Sequence, residues 1–173
     1  GSSAVPLYDF GENVTSIEVA WSNPDIIYVA TYDGYWDDKH VWRSEDGGES
    51  FIDITPTFPG IQDDNWIPYD ITVSDNDPHS IWIARCPNST SYDSYSASKV
   101  YHSTNGGDNW ATVNDWWEYY GDPTIYLHAD IPDIQFILDP DNNEFVFVST
   151  DGGLYISYDG LNEVLNLSEN GLG

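Results

Sequence analysis

Basic residues, sulfur-containing residues and long apolar runs are nearly missing from this sequence. It has 4 lysines and arginines against 30 aspartates and glutamates, which gives a formal net charge of −26. So few cations make a nucleic-acid backbone or an anionic membrane surface an implausible partner. Cys86 is the single cysteine, so no internal disulfide is available. Because no apolar run approaches the roughly 18 residues of a membrane-spanning helix, no membrane insertion is expected.

Aromatic residues, in contrast, are plentiful at 16% of the 173 residues. Together with many isoleucines and valines they supply enough apolar surface for one compact domain or part of one. Disorder is therefore not expected in spite of the charge. Strong self-repulsion between acidic groups suits a secreted protein that must stay soluble.

A glycine-rich loop between two short apolar runs is the most informative stretch, because each of its positions has a physical task. Ser44 and Asp46 are expected to accept hydrogen bonds from backbone N–H groups one or two residues further on. Gly47 and Gly48 can adopt a positive φ without a Cβ penalty. Phe51 would then cover the turn with apolar surface. The stretch therefore predicts a corner between two antiparallel strands.

The same corner returns at 103–110, and a degenerate copy lies at 157–164. In the degenerate copy, Leu161 stands at the second glycine position and Val164 at the aromatic position. The positions predicted to build the three corners are Ser44, Asp46, Gly48, Phe51, Ser103, Asn105, Gly107, Trp110, Ser157 and Asp159.

This Ser-x-Asp/Asn-x-Gly-x-x-aromatic pattern resembles the Asp-box, the repeat of bacterial neuraminidases, sortilin-type receptors, xyloglucan hydrolases and photosystem assembly propellers. The resemblance implies a β-propeller and no particular activity, because the Asp-box is a folding device in all of them. A looser likeness, carried by 77–82, 128–130 and 149–155, is to large secreted proteins of Bacteroidetes-type bacteria. That likeness implies an extracellular or cell-surface location.

Hairpin signals around each corner extend the repeat. Each unit has the order strand, Asn/Asp-Pro turn, strand, variable loop, strand, corner, strand, which is the content of one four-stranded propeller blade. The predicted fold class is all-β, with about three antiparallel blades at 17–60, 61–115 and 116–173. Residues 1–16 are predicted to be a strand or linker, with a lone strand at Leu7–Phe10 that completes a neighbouring blade.

Three blades are too few for a closed propeller, which needs about four to eight. Blades that cannot close a ring leave apolar faces and strand edges open to water. The repeat count therefore predicts that the remaining blades come from a longer chain or from other copies of this one.

Aromatic side chains interleaved with carboxylates in the variable loops are candidates for ligand binding. An aromatic ring can stack on a sugar while a carboxylate accepts hydrogen bonds from its hydroxyls. A glycan or an extracellular protein is the predicted ligand, and the alternative is that these rings only pack between blades. The candidate residues are Trp36, Trp116, Trp117, Tyr119 and Tyr120.

Catalysis is less favoured by the sequence than a binding or scaffolding role. In the neuraminidases that the corner resembles, three arginines hold the substrate carboxylate, and only Arg43 and Arg85 are present here. A hydrolase needs two carboxyl groups across a cleft, and no pair stands out among 30 acids. Two alternatives stay open: a fragment of a xyloglucanase-like hydrolase, or a subunit of a self-associating surface assembly.

No cofactor is predicted, and Ca²⁺ is the one candidate ion. A first short stretch could ligate a metal ion, and the carboxylate and amide oxygens of a second stretch offer hard ligands for Ca²⁺. Neither stretch has the spacing of a known calcium loop, because Glu144 stands where a glycine is needed, and the second stretch is also a turn signal. The residues concerned are His128, Asp130 and Asp133 in the first stretch and Asp139, Asp141 and Asn143 in the second.

Overall fold

The computed structural model describes residues 6–33, 39–55, 66–87, 100–114, 126–128 and 131–168. Within these ranges the regular structure is entirely β, and no helix is long and apolar enough to cross a membrane. The strands are β1 (Val14–Val19), β2 (Ile27–Tyr32), β3 (Lys39–Ser44), β4 (Ile52–Asp53), β5 (Trp66–Val73), β6 (Ile81–Pro87), β7 (Val100–Ser103), β8 (Ala111–Val113), β9 (Asp133–Leu138), β10 (Glu144–Thr150), β11 (Gly153–Ser157) and β12 (Leu165–Asn166).

The described strands form three antiparallel sheets of four strands each, in the orders β1-β2-β3-β4, β5-β6-β7-β8 and β9-β10-β11-β12. We call them the first, second and third sheet. Every strand pairs with its neighbour in sequence, so each sheet is a simple meander. The predicted order of strand, turn, strand, loop, strand, corner, strand is confirmed in all three sheets. The predicted all-β class with about three blades is confirmed as well.

We call the first strand of each sheet, β1, β5 or β9, its inner strand. The inner strands lie side by side, because β1 contacts β5 and β5 contacts β9. Each sheet has a front side, which faces the next sheet along the chain, and a back side, which faces the preceding one. One apolar core cluster joins the front of the first sheet to the back of the second, with Tyr28 against Ile71 and Ile83. The other joins the second sheet to the third, with Trp82 against Ile134.

The predicted lone strand at Leu7–Phe10 is wrong, because these residues form no strand. Their side chains, and not their backbone groups, make the contacts with the first sheet. Tyr8 and Phe10 contact the ring of Phe51 at centroid distances of 4.9 Å each. The stretch therefore covers the outer strands of the first sheet on the back side, with side chains and not with backbone hydrogen bonds, and it leaves β1 uncovered.

The second strand is buried on both sides in two of the three described sheets. Ile27 to Thr31 in β2 and Ile81 to Ala84 in β6 are buried throughout. In β10, Val146 and Val148 are buried, while Phe145 and Phe147 on the other side are partly exposed. The front of the third sheet is thus an uncovered apolar surface.

Candidate functional site: the corners and the opposite loop face

Each corner is organised by a buried serine hydroxyl at the end of the third strand of its sheet. Ser44 Oγ accepts a hydrogen bond from Gly48 N at 2.8 Å, and Ser103 Oγ accepts one from Gly107 N at 2.8 Å. In the third corner, Ser157 Oγ accepts one from Leu161 N at 3.0 Å. Each hydroxyl also accepts the expected bond from the N–H group two residues on, as Ser44 Oγ does from Asp46 N at 3.3 Å. One hydroxyl thus closes the whole loop.

The acidic or amide position of each corner closes a second, overlapping loop. Asp46 Oδ1 accepts a hydrogen bond from Ser50 N at 2.9 Å. Asn105 and Asp159 accept equivalent bonds from Asn109 N and Glu163 N at 2.9 Å and 3.0 Å. Hydrogen bonds from the Ser50 side chain and backbone and from Ser44 lower the pKa of Asp46 to about 2. Asn105 shows that a neutral amide oxygen does the same structural task.

A positive φ is required at the two positions that follow the acidic or amide residue of each corner. Gly48 has a φ of 92° and Gly107 a φ of 96°. A Cβ on Gly107 would lie 2.5 Å from Cδ1 of Ile54 in the first sheet, so this corner also needs glycine for close approach. In the third corner Leu161 adopts a φ of 72° with its side chain fully buried. The degenerate corner therefore keeps the backbone shape at some cost in strain.

The aromatic position seals the joint between a corner and the chain that precedes it. Trp110 donates its indole N–H to the carbonyl oxygen of Ile54 at 3.3 Å. Phe51 packs against Tyr8 and Phe10, as described above, and Val164 is buried in the core cluster of the third sheet. The corners are thus structural joints, and the described side chains that form them are used within the fold.

Arg43 is also a structural residue, since it joins the first sheet to the second corner. Its Nη1 donates to the carbonyl oxygen of Gly106 at 2.5 Å and lies 3.3 Å from Asp108 Oδ1. Its Nε lies 3.1 Å from Glu45 Oε1. With its guanidinium engaged in this way, Arg43 is not placed to hold a substrate carboxylate. Arg85 lies in β6.

Two carboxyl groups that the sequence analysis did not single out lie between the inner strands. Asp70 Oδ1 accepts a hydrogen bond from Ser16 Oγ at 2.8 Å, and Asp70 Oδ2 accepts one from Ile134 N at 2.9 Å. Asp70 thereby ties all three sheets together, and burial raises its pKa. Burial also raises the pKa of Glu18 to about 7, with added repulsion from Asp70 and Asp75. An alignment of the three units would have placed Ser16, Asp70 and Asp133 at one position. This recurring polar residue was the sequence signal from which the contact could have been predicted.

The strand directions place the corners and the variable loops at opposite ends of the sheets. In a meander of antiparallel strands, the first and third turns lie at one end and the second turn lies at the other. The backbone bond from Gly47 N to the Asp25 carbonyl oxygen at 2.9 Å, between the first and third turns, agrees with this. The described chain therefore leaves for residues 34–38, 56–65, 88–99 and 115–125 at a single end of the sheets. We call this end the loop face.

All five predicted ligand-binding aromatics belong to segments that depart from the loop face. They are Trp36, Trp116, Trp117, Tyr119 and Tyr120, and they lie outside the described residues. Their predicted role stays a prediction. The structure brings the described ends of their segments to one side of the molecule, away from the corners.

The two stretches considered for a metal ion make internal hydrogen bonds where they are described. Asp139 Oδ1 accepts bonds from the N–H groups of Asp141 and Asn143 at 2.9 Å and 2.8 Å, so this stretch is the turn between β9 and β10. His128 Nδ1 hydrogen-bonds Asp151, and Asp130 lies outside the described residues. Across the described parts of the chain, no group of three or more His, Cys, Asp and Glu side chains could hold a metal ion.

Comparisons with known proteins give the fold. No family model matches the chain, and no curated protein matches it. Among solved structures it is similar to YCF48 from Cyanidioschyzon merolae, with a TM-score of 0.51 and 15% identity over 90% of this chain and 37% of that one. It is also similar to the GH74 xyloglucanase of Xanthomonas campestris, with a TM-score of 0.59 and 13% identity over 88% of this chain and 21% of that one.

A third similar structure is the GH74 enzyme of Niastella koreensis, with a TM-score of 0.58 and 17% identity over 89% of this chain and 22% of that one. The chain thus spans between about a fifth and two fifths of the length of these structures. The neighbours are β-propeller proteins. The fold and the three sheets therefore define the class: this chain is a partial β-propeller whose sheets are its blades.

Proposed function

We propose that the chain is a non-catalytic β-propeller segment of a secreted protein, that its corners are Asp-boxes, and that it binds a glycan or a protein through the loop face. The observation that carries this proposal is the separation of the two ends of the sheets. At one end, the polar side chains of the corners, such as Ser44 and Asp46, form hydrogen bonds within the corners themselves. At the other end, four segments rich in aromatic and acidic residues depart together.

A glycan is the ligand class that this composition fits best. Trp116 and Trp117 lie beside Asp115 and Glu118 in sequence, and Trp36 lies beside Asp37. Rings supply flat apolar surface for the C–H side of a sugar, and carboxylates accept hydrogen bonds from its hydroxyls. An acidic protein of net charge −26 would select neutral or basic partners over anionic ones.

A glycan array with matched tryptophan variants tests this. Trp116→Ala and Trp117→Ala are expected to weaken binding about tenfold or more, the equivalent of ~1.4 kcal/mol. Trp21→Ala is the control, because Trp21 is 81% exposed in the turn after β1, at the end opposite the loop face. Binding that survives both loop variants, or a parent chain that binds no glycan, would remove the sugar as ligand.

An extracellular location and an origin in Bacteroidetes-type bacteria belong to the same proposal. Their support is the acidic composition and the sequence likeness at 77–82, 128–130 and 149–155. Brief protease treatment of intact source cells should release fragments of this chain if it lies on the surface. Fragments found only after the cells are lysed would contradict the location and leave the binding role untouched.

A fragment of a glycoside hydrolase is the second candidate, favoured by the likeness to GH74 structures. Hydrolysis would need a pair of carboxyl groups across a cleft, about 5–10 Å apart depending on mechanism. Incubation with xyloglucan and measurement of reducing ends separates the two candidates. Release of reducing ends by the 173-residue chain would establish the hydrolase and overturn the non-catalytic reading.

A further inference from the structure

The three sheets carry one aromatic side chain at the same register position, and only the third is uncovered. Tyr28, Trp82 and Phe147 are each paired with the residue that directly precedes the corner serine of their own sheet. All three point to the front side. Tyr28 is 0% and Trp82 3% exposed because the next sheet packs over them. Phe147 is partly exposed, in a depression of about 720 Å³ that Phe145, Ile156 and Tyr158 also line.

The back sides show the complementary series, and there it is the inner strand of the first sheet, β1, that is uncovered, while Val29 on the neighbouring strand β2 is buried. Ile17, Ile71 and Ile134 share one register position on the inner strands. Ile71 is 1% and Ile134 0% exposed, since each packs on the front of the preceding sheet. Ile17 is 60% exposed and Val19, two residues on, is 45% exposed. The front of the third sheet and the back of the first are therefore the two halves of a joint that the molecule makes twice internally.

A polar contact follows the same repetition along the inner strands. Ser16 Oγ accepts a hydrogen bond from Ile71 N at 3.4 Å, and Asp70 Oδ2 accepts one from Ile134 N at 2.9 Å. Asp133 occupies the position of Ser16 and Asp70, because it pairs with Ser149 as they pair with Ala30 and Ala84. Its carboxylate is exposed at the front of the third sheet. Ile17 holds the same register position as the donors Ile71 and Ile134, so its N–H is the equivalent donor for Asp133.

We propose that two copies of this chain associate head to tail, with the front of each third sheet against the back of the other first sheet. Phe147 then packs on Ile17 and Val19 of the second copy, and Asp133 accepts a hydrogen bond from its Ile17 N–H. Complementary patches on opposite sides of one molecule make a heterologous contact, which closes into a ring when the rotation allows it. Two copies supply six sheets, which lies within the four to eight of closed propellers.

For the ring of two copies to close, Leu167 of one copy must replace Leu7 at the first corner of the other. Ile54 leaves the first sheet and lies over Gly107 of the second corner. Leu167 leaves the third sheet in the same way, with its N–H bonded to Leu154 as that of Ile54 is to Val41. It would lie over Gly48 of the second copy, where Leu7 now lies. Leu7 is 67% and Tyr8 40% exposed, so residues 6–8 can be displaced at the cost of the ring contacts of Tyr8 with Phe10 and Phe51.

Paired variants test the contact by mass in solution. The parent should run at twice the 19.5 kDa of one chain in light scattering. Phe147→Asp and Ile17→Asp should each be monomeric at the same concentration, because each places a carboxylate in the apolar joint. An equimolar mixture of the two should recover the doubled mass, because one joint then combines an unchanged front with an unchanged back. Ile17 is an exposed side chain, so its variant keeps the fold even if Phe147→Asp does not.

Two further variants sharpen the result. Ile52→Asp is the control, since Ile52 is 51% exposed on β4, outside both halves of the joint, and its variant should stay dimeric. Deletion of residues 1–8 should lower the dissociation constant, because it removes the tail that Leu167 must displace. A parent chain that stays at 19.5 kDa at every concentration overturns the proposal. A dimer that survives Ile17→Asp would mean a front-to-front contact, and a ladder of larger masses an open filament, and either overturns the ring.

Discussion

Glu18 is a residue whose ionisation the fold moves strongly, into the neutral pH range. It lies on β1 at the front of the first sheet, and burial, together with Asp70 and Asp75, raises its pKa to about 7 from an ordinary 4.5. The folded protein therefore binds this proton more tightly than the unfolded chain does. It follows that stability from this group is present at low pH and is lost as the pH rises through the window from 4.5 to 7.

Glu18→Gln should remove that pH dependence. We expect the variant to melt at a higher temperature than the parent at pH 8, where the parent carries the buried charge, and close to the parent at pH 5. Thermal unfolding followed by circular dichroism at pH 5 to 8 measures this, with the exposed Glu49→Gln as control. A variant that is less stable than the parent at pH 8 would show that the Glu18 carboxylate is favourably held.

Ser44 is the residue on which the first corner depends. Its hydroxyl is 1% exposed and accepts the hydrogen bond of the buried Gly48 N–H at 2.8 Å. Ser44→Ala leaves that N–H without a partner, and an unsatisfied buried donor costs about 1–3 kcal/mol. Urea unfolding of this variant and of Ser22→Ala, an exposed turn serine, measures the difference. A loss no larger than that of the control would show that the corner is held by other contacts.

At the scale of one element, the third corner shows how far the repeat can degenerate. Leu161 holds a φ of 72°, where the other corners have glycine. The left-handed conformation costs a leucine roughly 1–2 kcal/mol, whereas a buried leucine contributes about 2–5 kcal/mol relative to alanine. Packing therefore outweighs strain at this position.

Leu161→Gly should accordingly destabilise the protein by about 1–3 kcal/mol, although it restores the residue of the other two corners. Denaturant unfolding gives the free energy, and Leu165→Gly, on the exposed front of β12, gives the cost of a glycine where no core contact is lost. An increase in stability on Leu161→Gly would mean that the strain exceeds the packing.

Most elements could be predicted from the sequence because local chemistry determines them. The serine, the carboxylate or amide, and the glycines of each corner lie within a few residues of one another, and each strand pairs with its sequence neighbour. The stretch Leu7–Phe10 could not be predicted, since alternation of apolar residues looks the same whether the backbone pairs with a strand or the side chains pack on a sheet. The roles of Arg43 and Asp70 were also missed, because their partners lie 63 and 64 residues away.

At the scale of the whole molecule, charge works against compactness. A net charge of −26 on a small domain places many carboxylates within a Debye length of one another in dilute buffer.

The loop face could be predicted from the sequence, because four antiparallel strands in sequence order put alternate turns at opposite ends of a sheet. The identity of a ligand could not be predicted, because the aromatic residues that would recognise it lie in loops, whose conformation the strand pattern does not determine.

Added salt should therefore stabilise the fold. We expect the melting temperature to rise by several degrees between 10 mM and 300 mM NaCl, since screening reduces the repulsion among carboxylates. CaCl₂ at matched ionic strength distinguishes screening from binding, and a site at Asp139 would add a further rise at low millimolar Ca²⁺ that Asp139→Ala abolishes. A melting temperature that does not change with NaCl would mean that the acidic groups are already compensated.

The separation of corners from loops has a consequence for engineering. A foreign peptide placed between Asp33 and Lys39, or between Pro87 and Val100, would start and finish at the ends of strands whose hydrogen-bonded pairing is complete without it. Neighbouring attachment points on the same side could then display several unrelated sequences together, as antibody domains do, on a framework whose rigidity is set elsewhere.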